Sequence, residues 1–114
     1  MKITNKTKNT CLAENAVIAA SLFKRMRGLL GRDGLKVGEA LVLKPCNSVH
    51  SFFMRFTIDV VFVNGHNCVV KTLSSLRPFR LSGIYFFSSF AVELPAGTIL
   101  ATSTEKGDLL AFIA

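Results

Sequence analysis

Thr57-Ile58-Asp59-Val60-Val61-Phe62-Val63-Asn64-Gly65-His66-Asn67-Cys68-Val69-Val70-Lys71-Thr72-Leu73 is the stretch whose reading decides the fold. Thr57 to Val63 is a nearly continuous apolar strand, well short of the ~20 residues that a membrane-crossing helix needs. Asn64-Gly65 is a favoured hairpin turn, and Asn67 to Leu73 is expected to return as the antiparallel partner. Downstream, Arg77-Pro78 opens a less regular, Phe-rich stretch. Ser89 to Leu94 reads as a strand ended by Pro95. Thr98 is placed to cap a short helix over Ile99 to Thr104, with Gly107 beyond its end, and Asp108 to Ile113 closes the chain as a strand.

Upstream, the mixed segment Cys46 to Arg55 has no clean period and reads as an ordered loop. Glu39 to Leu43 is a strand that stops at Pro45, after a Gly34 to Gly38 loop. Between Ser21 and Leu30 the period changes, with Leu22, Met26 and Leu29 at helical spacing, Ser21 as cap and Gly31 as stop. Met1 to Ala13 suits a short hairpin. Six or seven strands and about two short helices predict an α+β domain with a mainly antiparallel, barrel-like sheet. No repeat or Pro/Gly/Ser-rich linker divides its 114 residues, so one domain over 1–114 is expected.

Met1 to Thr10 does not read as a signal peptide, and no apolar run is long enough to span a membrane. Cys11, Cys46 and Cys68 are odd in number and widely spaced, which predicts reduced thiols in a cytoplasmic protein. A mean hydropathy of +0.43 leaves apolar surface for a ligand, a partner or weak homodimer contacts. The net charge of +7 is carried by the first half of the chain. Its densest cluster, Lys24, Arg25, Arg27 and Arg32, could contact phosphates or form a solvated helix face. No helix-turn-helix, zinc-finger or aromatic RNA-binding signature accompanies it.

Three segments carry a family resemblance: Leu29 to Arg32, the block from Cys46-Asn47-Ser48-Val49-His50-Ser51 through Phe52-Phe53-Met54-Arg55-Phe56-Thr57-Ile58-Asp59, and Glu93 to Thr98. With these the chain resembles the domain of unknown function 192 family over nearly its whole length. The resemblance implies a β-rich α+β domain of prokaryotes and brings no activity, cofactor or catalytic residue. Thr57 departs from the pattern, which has Pro at that position; Thr restores a backbone N–H there.

The chemically suggestive residues are Cys46, Ser48, His50, Met54, Arg55, Asp59 and Glu93. Asp59 lies inside an apolar run, where a carboxylate must accept hydrogen bonds or meet a cation such as Arg55. Anchoring of loop amides is the default role for it. A nucleophilic reading sets Cys46 as thiolate, His50 as base and Asp59 as orienter. It lacks an oxyanion-hole signature. A zinc reading of Cys46, His50 and His66 or Asp59 lacks a second ligand pair, so no metal and no cofactor are expected. Phe52, Phe53, Phe56, Phe86, Phe87 and Phe90 either fill the core or line an apolar site whose ligand His50, Asp59 and Glu93 would orient. The reading is a non-enzymatic domain that binds a small ligand or protein partner. A nucleic-acid-associated basic protein and a Cys-His enzyme are the alternatives.

Overall fold

The computed structural model describes residues 1–19, 34–49 and 56–114. Within them the order is β1 (Lys2–Asn5), β2 (Thr10–Ala13), β3 (Asn15–Ala19), β4 (Glu39–Leu43), β5 (Ile58–Val63), β6 (Val69–Leu76), β7 (Phe90–Pro95), α1 (Thr98–Thr102) and β8 (Leu110–Ile113). They form two open sheets, β2-β1-β8 and β3-β4-β7-β5-β6, and every strand pair but the parallel β3–β4 is antiparallel. The expected barrel is therefore corrected to two sheets with separate edges. The expected Ser21–Leu30 helix lies outside the described residues, among which α1 is the helix present.

β5 is an interior strand of the larger sheet, between β7 and β6, and every residue in it is buried, which is why its sequence is a continuous apolar run and does not alternate. Val61 and Val63 join Val42, Val92 and Leu94 beneath Ile3, Leu12 and Leu110 of the smaller sheet. Ile58, Val60 and Phe62 face the other way, with Leu41, Leu43 and Ala91 beneath Val49 and Tyr85. One face of the large sheet is thus covered by strands, and the opposite face by loop segments.

The hairpin between β5 and β6 departs from the expected Asn64-Gly65 turn. The Asn67 N–H donates to the Asn64 carbonyl at 3.1 Å, and Asn67, not Gly65, carries the left-handed backbone at φ 64°. The Asn64 side chain supplies the closure, accepting from the N–H groups of His66 (2.9 Å) and Cys68 (3.0 Å). Asparagine does this well because its carboxamide oxygen reaches its own backbone two residues on.

Near its other end the hairpin bulges. Ile58 pairs with Leu76 and Val60 with Leu73, so Ser74 and Ser75 together oppose Asp59. Ser75 is left-handed, at φ 58°. The bulge turns the chain out of β6 at Arg77, and the segment from there to Ser89 crosses the loop-covered face to reach β7, which pairs with β5 from Phe90 opposite Val63.

Candidate functional site

Asp59 is completely buried and its carboxylate accepts three backbone N–H groups. Oδ1 takes Ser75 at 2.8 Å; Oδ2 takes Gly97 at 3.1 Å and Ile99 at 2.8 Å. The sequence explains the need. A bulge at Ser75 and the start of α1 both leave backbone donors without ladder or helix partners, and one carboxylate between them satisfies both. Thr98, expected to cap α1, instead donates its hydroxyl to the Pro95 carbonyl at 2.7 Å, and the cap position is taken by Gly97 at φ 95°. A left-handed cap suits glycine, and the capping carboxylate arrives from β5.

Cys46 lies elsewhere. Its N–H donates to the Ser89 carbonyl at 3.0 Å, and the Ser89 N–H donates to the Val63 carbonyl at 2.8 Å. Those bonds hold Cys46 beside the last residue of β5, four residues and roughly 13 Å along the strand from Asp59. The two also occupy opposite faces: Cys46 packs on the Ile58–Val60–Phe62 side, while Asp59 alternates with Val61 on the other. The Cys46 Sγ donates to the Ser48 carbonyl at 3.0 Å. The structure therefore does not bring Cys46 and Asp59 into one constellation. His50, Met54 and Arg55 lie outside the described residues, as do Lys24, Arg25, Arg27 and Arg32.

Glu93 is buried in β7 between Leu41 and Val60, on the same face as Cys46. Ser48 and Ser82 share a hydroxyl contact at 3.3 Å above that face. Around them two loop segments are laced together. The Val49 N–H donates to Ser82 Oγ at 2.8 Å, and the Ser82 N–H returns to the Val49 carbonyl at 2.9 Å. The Tyr85 N–H donates to the Asn47 carbonyl at 2.8 Å, and Ser88 Oγ donates to the Cys46 carbonyl at 2.9 Å. The Tyr85 ring packs on Phe62 with centroids 4.6 Å apart, and Lys44 Nζ lies 5.6 Å from the Phe90 ring centre. Cys46–Val49 and Ser82–Ser89 thus form one hydrogen-bonded layer over the sheet.

Large apolar side chains stand exposed on that layer and just before it. Phe86 and Phe87 are 81% and 86% exposed, and Phe79, Leu81 and Ile84 are more than half exposed. Of the phenylalanines read as core or pocket lining, Phe90 is buried and Phe56 partly buried; Phe52 and Phe53 fall outside the described residues.

Among the described residues no cluster of His, Cys, Asp or Glu is placed to hold a metal ion. At Cys11, partial desolvation of the sulfur and its 3.4 Å hydrogen bond to Glu14 push the thiol pKa up, the reverse of activation. No helix among the described residues is long and apolar enough to cross a membrane.

A model of the family described as DUF192, "Uncharacterized ACR", matches residues 3–112. The chain belongs to the DUF192 family. A UPF0127 protein of Pyrococcus furiosus is 35% identical over 111 residues, covering 93% of each chain. One from Thermococcus sibiricus is 32% identical over 110 residues, covering 93% of this chain and 71% of its own. These DUF192 relatives are archaeal proteins of uncharacterised function. In fold, the chain is similar to a Novosphingobium aromaticivorans protein of unknown function, with a TM-score of 0.82 at 14% identity, covering 97% of this chain and 82% of that one. A Sinorhizobium meliloti protein described as a candidate transcription regulator gives 0.78 at 15% identity, covering 96% and 89%. At these identities the likeness is one of fold.

Sequence reasoning missed the role of Ser82 and Ser88 in this DUF192 domain, since each meets a segment more than thirty positions away. Ser82→Ala is expected to leave the Val49 N–H without its side-chain acceptor and to cost about 1–3 kcal/mol. Urea unfolding checks the loss, and faster amide exchange at Val49 locates it. Unchanged Val49 protection would show that the two segments hold together without the hydroxyl.

Proposed function

We propose that this domain is a non-enzymatic binding module whose docking surface is the outer side of the Arg77–Ser89 crossing. The observation that carries this reading is the exposure of Ile84, Phe86 and Phe87 on a Ser82–Ser89 segment whose backbone is pinned to the sheet and to Cys46–Val49, with Phe79 and Leu81 exposed just before it. Large apolar side chains grouped on a surface mark interaction sites. A segment already ordered by its own hydrogen bonds gives up little conformational freedom when a partner settles on it. Cys46 and Ser48 lie in the supporting layer and Glu93 beneath it, so these members of the sequence-derived site serve the docking surface from below. His50, Met54 and Arg55 continue the same loop in the sequence. Asp59 stands apart as a backbone anchor.

The Cys-His enzyme alternative loses its orienting carboxylate in this arrangement, because Asp59 is committed to three amides on the far face. The nucleic-acid alternative rests on the net charge of +7 and on the description of the Sinorhizobium relative in fold.

The double substitution Phe86→Ser with Phe87→Ser tests the proposal through stability. Side chains retained for docking are expected to leave the unfolding free energy within about 1 kcal/mol of the parent, as exposed positions do. A loss of about 3–5 kcal/mol or more in the double variant, the magnitude typical of a buried phenylalanine, would assign the pair to the core and remove the docking surface.

A further inference from the structure

We infer that Asn64 is a site of covalent modification that the β5–β6 turn holds closed: its carboxamide is converted through a succinimide when the turn opens, and not while it is clasped. Asn64-Gly65 is the sole Asn-Gly pair in the chain. In such a pair the nitrogen that can attack the asparagine carboxamide belongs to a residue without a Cβ, so no side chain shields it. Gly65 is exposed at the tip of the hairpin and Asn64 is half-buried beside it, within reach of water and hydroxide.

The conversion consumes only water. The Gly65 nitrogen gives its proton to hydroxide and bonds to Asn64 Cγ; the Cγ–Nδ2 bond breaks, and Nδ2 leaves as ammonia after taking a proton from water. Water then opens the ring, at Cγ to give aspartate or at the backbone carbonyl carbon to give isoaspartate, whose main chain runs through Cγ. Ring closure requires Asn64 Cβ and the Gly65 nitrogen to eclipse about the Cα–C bond. The folded turn opposes that rotation. The Asn64 N–H donates to the Cys68 carbonyl at 2.9 Å, which extends the antiparallel ladder by one bond and keeps Asn64 extended, outside the eclipsed arrangement. Its carbonyl accepts from the Asn67 N–H at 3.1 Å, and its Oδ1 accepts from the N–H groups of His66 at 2.9 Å and Cys68 at 3.0 Å. Rotation toward ring closure swings both acceptors away from these donors, so the clasp must open first.

The full chain is incubated in mildly alkaline buffer, folded or unfolded in guanidinium, and the peptide holding Asn64 is followed by mass spectrometry, with isoaspartate separated from aspartate. The unfolded chain is expected to convert at Asn64 ahead of its other asparagines, and the folded chain to convert there more slowly by about tenfold or more, the factor set by the free energy of local opening. Two substitutions probe the clasp. Asn67 carries the left-handed backbone at φ 64°, so the β-branched side chain of Asn67→Val should loosen the turn and speed conversion, while Asn67→Gly should leave it slow. Gly65→Ala should slow conversion even in the unfolded chain, because its methyl group crowds the attacking nitrogen. The fold has room for that methyl: a Cβ there would meet Ser89 Oγ at 3.6 Å, an ordinary contact.

Equal rates in the folded and unfolded parent would overturn the inference without recourse to any variant, since the turn would then close nothing. An unfolded chain that leaves Asn64 intact while other asparagines convert would remove the site itself. If Asn67→Val speeds amide exchange at Cys68, whose N–H belongs to the clasp, and yet leaves conversion at Asn64 as slow as in the parent, opening of the turn is not what admits the reaction and the inference falls.

Discussion

Asp59→Ala is expected to destabilise the domain by about 3–5 kcal/mol, a large share of the ~5–15 kcal/mol that holds a domain of this kind folded. Three donors lose their acceptor at once: Ser75 N–H at the β6 bulge, Gly97 N–H at the cap of α1, and Ile99 N–H in its first turn. Ile99 is itself buried, so water does not easily replace the carboxylate there. Asp59→Asn is the informative control. Its carboxamide keeps one acceptor oxygen but turns an NH2 group toward donors, so it should recover part of the loss and not all of it. Urea unfolding of the parent and both variants ranks them, and amide exchange at Ser75 and Ile99 separates loss of the anchor from a general loosening. A loss of under about 1 kcal/mol in Asp59→Ala would mean that the bulge and α1 hold their geometry without the carboxylate.

That anchor was partly legible in the sequence. A carboxylate inside an apolar run announces a buried acceptor, and the run itself announces an interior strand, because only a strand covered on both faces tolerates continuous apolar residues. The partners were not legible. Ser75 and Gly97 reach Asp59 through a bulge and a left-handed cap, neither of which leaves a periodic trace. Asn15–Ala19 was also hidden: as an edge strand it buries Ala16 and Ala19 while exposing Val17 and Ile18, so its burial does not alternate. Its parallel pairing with β4 is a further long-range choice that local signals do not encode. The grouping of Cys46 with Asp59 followed closeness along the chain. β5 has a length and two faces, and those place the two residues at opposite ends and on opposite sides.

Asp108 should give the domain a pH-dependent component of stability. Asp108 is buried where β8 approaches β1. Burial alone would raise its pKa, but the Asn5 Nδ2 group at 2.8 Å, the Glu105 N–H at 3.0 Å and the Lys8 ammonium at 3.1 Å outweigh that cost and hold the pKa below its ordinary 3.8. Asn5 is fully buried, and it also donates to Thr104 at 3.2 Å while accepting the Lys8 N–H at 3.0 Å. Lys8 answers in kind: its hydrogen bonds to Asp108 and Glu105 outweigh the desolvation that would lower its pKa, and the net shift is upward from 10.5. A folded-state pKa below the unfolded one means that the unfolded chain takes up a proton first on acidification. The stabilisation from Asp108 is therefore fully present above the ordinary carboxylate range and is lost as pH falls below 3.8 through the depressed value. Asp108→Ala is expected to cost about 2–4 kcal/mol at pH 7, since it removes charge-assisted bonds and strands the buried Asn5 amide. The gap in unfolding free energy between parent and variant should narrow as the pH is taken well below 3.8, because the protonated parent no longer presents a carboxylate to Lys8 and Glu105. Urea midpoints measured at neutral and acid pH test both parts. A gap that stays constant across that range would show that Asp108 acts through packing, with its charge contributing little to the closure of β1 against the end of the chain.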